Sequence, residues 1–252
     1  MIIHHLNIKI TFVSIYKMTE VVKNHHLYGD ITVVSDDAFV CCWIKKDMVW
    51  ENDILQILSQ QLKKRPGTFI DAGAFIGPHS VGISKLHPGT KIVAFEPSDL
   101  AFSCLLDNAK RSFSFSSEIH KVALGKTEGN GFMMYDGGGN PGGANLKIEN
   151  PNDSEPANNS LMNAVAIRSI DSFNIDNVSL IKIDTEGQED NVILGAINTI
   201  KKYKPVLVVE IVGGAPRDGE YKERIEKSVA LIENLGYKVE LISYHDYLCT
   251  PL

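Results

Sequence analysis

The chain has 252 residues, 44% of them hydrophobic, enough to bury one sizeable core. A net charge of -6 and a pI near 5.8 argue against a nucleic-acid-binding surface, which clusters Lys and Arg. No apolar run approaches the ~20 residues that cross a bilayer, and Cys41, Cys42, Cys104 and Cys249 have neither C-x-x-C nor zinc spacing, so a soluble cytoplasmic protein with reduced thiols is expected.

In chain order, the first apolar stretch raises the question of a signal peptide, but His4, His5, Asn7 and Lys9 interrupt it and no small-residue cleavage site follows, so none is expected. Leu6, Ile8, Ile10 and Phe12 alternate with polar residues as a strand would. Residues 31–34 and 38–44, separated by Ser35, Asp36 and Asp37, suggest a β-hairpin. Residues 1–50 thus form an N-terminal extension with a hairpin, and 51–252 the main domain. Residues 51–62 place Ile54, Leu55, Leu58 and Leu62 on one helical face.

The next stretch organises the rest. An apolar run through Phe69 and Ile70 reaches Asp71, and Gly73 and Gly77 follow before helix-compatible sequence. Glycines so placed let the chain turn tightly beside a nucleotide cofactor. Asp71 changes the expected ligand: a dinucleotide sets its pyrophosphate at a helix N-terminus, and a carboxylate there repels it. S-adenosylmethionine has no phosphate and carries an amino group and a sulfonium. About 20 residues on, a strand over 91–95 ends at Glu96, where such folds hold ribose hydroxyls, and Pro97 stops it.

Residues 98–110 read as a helix capped by Ser98, and 119–124 as a third strand containing Val122. The order β-α-β-α-β is the first half of a doubly wound sheet. Residues 126–163 form an insertion with glycine-rich (137–143) and asparagine- and proline-rich (150–156) runs, either a surface excursion or an acceptor loop. A buried strand over 180–184, a helix over 187–201, a central strand over 205–211, a charged helix over 220–235 and a hairpin of 237–242 with 247–250 complete an α/β chain of about seven mostly parallel strands.

The runs 69–80, 95–97, 123–125, 182–189 and 209–211 together resemble the Rossmann-like class I methyltransferases dependent on S-adenosylmethionine, and among them the FkbM-type family. The resemblance covers roughly residues 51–211 and implies an O-methyltransferase acting on a hydroxyl of a sugar, glycan or other small molecule. It implies that Gly73, Phe75, Gly77 and Val122 border the cofactor, that Asp71 lies beside its amino end, that Glu96 binds the ribose and that Asp184 touches it. Family members commonly have Asn where Phe75 stands.

An alcohol is a poor nucleophile, so the chemistry asks for a general base or a metal ion on the oxygen. Asp184, Glu186 and Glu210 fall at the carboxyl ends of neighbouring predicted strands, where open α/β sheets bind ligands, and His79 follows the glycine turn. These four are the catalytic candidates, while a Mg²⁺ ion on Asp184, Glu186 and Glu210 is an alternative use of hard oxygen ligands. Glu189 and Asp190 read as helix-start acids, and Lys182 as an ion-pair partner of a neighbouring acid. A nicotinamide oxidoreductase should show G-x-G-x-x-G at this turn, where the chain has Gly73 and Gly77 with Asp71 before them; a non-catalytic relative would keep the fold without turnover.

Overall fold

The computed structural model describes residues 18–134, 145–148, 162–211 and 220–252. The alternation at Leu6 to Phe12 and the runs 137–143 and 150–156 lie outside the described residues. Two antiparallel strands, β1 (Thr19–His25) and β2 (Gly29–Val34), precede helix α1 (Val40–Lys45). This corrects the expected hairpin: β2 pairs backward with β1, and residues 40–45 are helical. An unbroken apolar run cannot distinguish strand from helix by its period, and here Asp37 Oδ1 accepts the Cys41 N–H at 2.6 Å, satisfying a first-turn donor.

The main domain runs α2 (Asn52–Lys64), β3 (Thr68–Ala72), α3 (Pro78–Leu86), β4 (Ile92–Phe95), α4 (Asp99–Ser112) and β5 (Glu118–His120). Pro78 occupies a first-turn position of α3, where its missing N–H costs nothing. The strand expected over 119–124 is divided. Beyond β5 the chain leaves the sheet, and β6 (Ala123–Leu124) joins β7 (Gly129–Met134), β8 (Asn145–Ile148) and β9 (Met162–Arg168) in a second sheet ordered β6-β9-β7-β8. From Gly129 onward, the described parts of the insertion are therefore strands.

The chain then follows a short 3-10 helix (Ile170–Phe173), β10 (Val178–Ile183), α5 (Glu189–Leu194), α6 (Ile197–Tyr203), β11 (Val206–Glu210), α7 (Glu220–Asn234), β12 (Tyr237–Leu241) and β13 (Asp246–Pro251). The single helix expected over 187–201 is two. They meet at Gly195, whose backbone passes so near Gly125 that a Cβ would lie 2.1 Å from its carbonyl oxygen. The main sheet is ordered β12-β13-β11-β10-β3-β4-β5, parallel except where β13 pairs antiparallel with β11 and β12. It is a doubly wound Rossmann-like sheet with an antiparallel C-terminal pair.

Strand alternation divides the core. Ile70, Val93, Ile181 and Leu207 pack with Val192, Ile193 and Ile200 of α5 and α6 and Ile232 of α7. Phe69, Ala94, Leu180 and Val208 pack with Ile54, Leu55 and Leu58 of α2, Ile83 of α3 and Leu105 of α4. Asp71 and Lys182 stand two residues beyond Phe69 and Leu180, so both fall on the second face, and the β3–β10 register sets them opposite each other. The N-terminal hairpin packs through Tyr28, Ile31 and Val33 against Ile76, Val81 and Cys104. Asn108 of α4 binds it there: its Oδ1 accepts the Thr32 N–H at 2.7 Å, and its Nδ2 donates to the carbonyls of Thr32 and Ile76, both at 2.9 Å.

Candidate active site

A pocket opens at the carboxyl ends of β3, β4, β10 and β11. Of the residues expected at the cofactor, Gly73, Phe75, Glu96, Val122 and Asp184 line it, as do the catalytic candidates His79, Glu186 and Glu210. Asp71 and Gly77 are not among the lining residues. Asp71 is buried behind the wall, where Ser80 Oγ donates to its Oδ2 at 2.6 Å, and Gly77 is the left-handed N-cap of α3, at φ 87°.

The glycine turn is tight because strands meet there. A Cβ on Gly73 would stand 1.7 Å from the Asp184 carbonyl oxygen. The Gly73 and Ala74 N–H groups donate to Phe95 O at 3.1 and 2.9 Å, and Gly77 N–H to Ala74 O at 2.8 Å. Phe75 N–H donates to Glu96 Oε2 at 2.8 Å, while Glu96 Oε1 accepts the Ser98 N–H at 2.8 Å. These turn donors are thus committed inside the protein, and a phosphate would find none of them free. Phe75 takes φ 53°, a left-handed conformation that a bulky side chain rarely adopts and Asn tolerates, a physical reason for Asn in the family pattern.

Lys182 sits at the centre of the charges. Its ammonium is buried and donates to Asp184 Oδ2 at 2.7 Å. Burial would strip the proton, but Asp184, Glu51 and Asp71 outweigh it and hold Lys182 above its ordinary range. Burial likewise opposes the charge on Asp184, yet Lys182 and a hydrogen bond from Glu210 keep that carboxyl below the usual carboxylate range. Glu210 is raised, by burial first and by Asp184 second, so the proton of the pair resides on Glu210. The β11–β13 register adds Asp246 opposite Glu210. Burial pushes Glu51, Glu96 and Glu186 each up to about 7, with Asp184 reinforcing the shift at Glu186.

His79 is buried, and its Nε2 lies 3.4 Å from Glu51 Oε2 without forming a hydrogen bond. Burial, seconded by Lys182, depresses its pKa well below the ordinary value, so the ring is neutral. The loop 184–188 is held from behind by Glu189: Oε1 accepts the Gly187 N–H at 2.8 Å and the Thr185 N–H at 3.2 Å, and Oε2 accepts Arg224 Nη2 at 2.7 Å. Asp190 accepts Ser228 Oγ at 2.6 Å. Both acids stand in the first turn of α5 and bond to the loop before it and to α7.

The donor set suits an organic cation. Among the described residues, five carboxyl residues (Glu51, Glu96, Asp184, Glu186, Glu210) line the pocket against one lysine and no arginine. The expected Mg²⁺ alternative does not fit. Lys182 already occupies an oxygen of Asp184, and among the described residues the metal-like convergence is His25, His26 and Asp47 instead. Even there His25 Nδ1 accepts the Leu27 and Tyr28 N–H groups, which leaves Nε2 to donate to Met48 O.

Glu51, Asp246, Phe39 and Trp50 were absent from the sequence-derived set. Lys182 carried a readable signal, a charge inside a fully buried strand. Glu51 gave none, because it reads as an ordinary helix-start acid.

A family profile described as the Methyltransferase FkbM domain matches residues 71–239, more than half of the chain. No curated protein matches the sequence. Among solved structures, the chain is similar to the methyltransferase FkbM of Methylobacillus flagellatus, at 18% identity and TM-score 0.49, over 73% of this chain and 43% of that one. It is also similar to a precorrin-6y C5,15-methyltransferase of Geobacter metallireducens, at 14% identity and TM-score 0.47, over 79% and 87%. A third is the fibrillarin of Aeropyrum pernix in complex with S-adenosyl-L-methionine, at 8% identity and TM-score 0.46, over 74% and 66%. The chain spans less than half the length of the Methylobacillus protein. On the profile match, the chain belongs to the FkbM methyltransferase family.

Proposed function

We propose that the protein binds S-adenosylmethionine in this pocket and methylates a hydroxyl oxygen of a sugar or other small hydroxylated molecule. The observation that carries the reading is the carboxyl-rich wall beside a turn whose N–H donors are already committed. That combination favours a ligand with an amino group and a sulfonium and disfavours the pyrophosphate of a nicotinamide cofactor. When bound, the cofactor supplies an electrophilic methyl carbon.

The protein's own work is to bind, align and take a proton. Glu96 spends one lone pair on Phe75 N–H and one on Ser98 N–H, and its remaining acceptor capacity is assigned to the ribose hydroxyls. Asp184, kept ionised by Lys182, offers a fixed negative charge to the cationic end. Glu186 is the assigned general base, since a carboxyl raised to about 7 can accept the acceptor's proton near neutral pH. Glu210, already protonated, and His79, neutral and buried, shape the site. Phe39, Val40 and Trp50 of the N-terminal extension are proposed to complete the pocket wall of the domain formed by 51–252.

Calorimetry with S-adenosylhomocysteine and with NAD tests the cofactor. Binding of the first alone is expected, and binding of NAD alone would overturn the reading. Glu186→Gln should leave that affinity nearly unchanged and lower turnover ~10²–10⁴-fold, whereas full activity would remove Glu186 as the base.

A further inference from the structure

The first residues of the pocket wall come from outside the part of the chain that the family profile matches. Phe39, Val40, Trp50 and Glu51 line the pocket, yet the match begins at residue 71. Phe39 is 52% exposed although it borders a cavity, and Trp43, 48% exposed, meets Trp50 edge-on with ring centroids 6.2 Å apart. Large aromatic rings left in water beside a charged cavity are a binding feature more often than a packing one. Glu51, in the left-handed region at φ 42°, places its Oε2 3.4 Å from the orphaned Nε2 of His79. A non-glycine residue held in that conformation within a site is a mark of functional positioning.

Resting on the methyl-transfer reading above, we infer that segment 39–51 is the acceptor subsite. A pyranose ring would lie with its C–H face on Phe39 and Trp50 and direct a hydroxyl to Glu51. Sugars present two kinds of surface, an apolar ring face and a rim of hydroxyls, and this wall offers the complement of each: aromatic planes and a carboxylate. The other occupants fit less well. A nucleic acid or an anionic lipid would bring phosphates against five carboxyl residues. A wholly apolar ligand would leave Glu51 and His79 desolvated without partners.

Saturation-transfer NMR of the full chain loaded with S-adenosylhomocysteine, against methyl glucopyranoside, galactopyranoside, mannopyranoside and rhamnopyranoside, tests the subsite, with sorbitol as a hydroxyl-matched acyclic control. At least one glycoside should give saturable transfer at millimolar concentration, and sorbitol none. Phe39→Ala, a change at a half-exposed side chain, and Trp50→Leu should each weaken that binding at least tenfold while S-adenosylhomocysteine affinity stays within twofold. No glycoside signal on the loaded protein, an equal sorbitol signal, or glycoside binding indifferent to both substitutions would overturn the subsite. Loss of the cofactor reading is separately visible, as failure of S-adenosylhomocysteine to bind at all.

Discussion

Lys182 illustrates how one residue can set the electrostatics of a site. Its ammonium neutralises acids gathered from β3, β10 and the start of α2, and Lys182→Met would leave them facing one another in a buried space. Breaking a buried pair from one side costs about 3–5 kcal/mol. Urea unfolding at pH 7 should show a loss of that order, and an unchanged midpoint would remove Lys182 from the stabilising cluster. Phe75 permits a cleaner comparison. Phe75→Ala and Phe75→Asn both delete the ring, but only Asn is at ease with φ 53°. The Asn variant should therefore be the more stable of the two by about 1 kcal/mol in thermal unfolding. At this scale the sequence announced Lys182, Glu96, Asp184 and Glu210, because each interrupts or ends an apolar run. It was silent on Glu51, Trp50 and Asp246, whose importance comes from where tertiary packing brings them.

Among elements, the loop 184–188 depends most on a residue outside the pocket. Glu189 gathers two N–H groups of that loop and the Arg224 guanidinium on a single buried carboxyl. Glu189→Ala should lower kcat and raise amide exchange at Thr185 and Gly187, and stability should fall by about 3 kcal/mol for a buried pair broken from one side. Exchange unchanged at both amides would refute the tether. The parallel strands and their helices were legible because alternation, capping and stop signals agreed over residues 51–112. The N-terminal region was not. The run through Phe39, Val40, Cys41, Cys42, Trp43 and Ile44 is apolar on every side, and β1 is largely polar and half-exposed, so neither displayed its period. The split of 119–124 between two sheets likewise follows from long-range pairing of β6 with β9, which local pattern cannot express.

For the whole molecule, the raised carboxyls fix the direction of pH dependence. Glu51, Glu96 and Glu186 titrate near 7 in the folded protein against an ordinary 4.5, so between those values the folded state holds more protons than the unfolded chain. Stability then falls as pH rises from 5 toward 7.5, and ligand-free thermal midpoints should fall with it; a flat or rising profile would contradict the burial of these groups. The cation pocket reverses the trend for binding. S-adenosylmethionine, with its sulfonium and amino group, should bind more tightly as pH rises and should release protons, seen as a dependence of calorimetric heat on the buffer's ionisation enthalpy. Trimming is informative too: a chain beginning at Met18 should fold and bind normally, whereas one beginning at Asn52 should lose both, having lost Glu51, Trp50 and the hairpin packed on Ile76. Asn108 grips Thr32 of the hairpin and Ile76 of the glycine turn with one amide group. The Thr32 N–H, itself no part of the pocket wall, is thereby a built-in sensor: any ligand that stills the turn should slow its exchange with deuterium, and Asn108→Ala should silence that report.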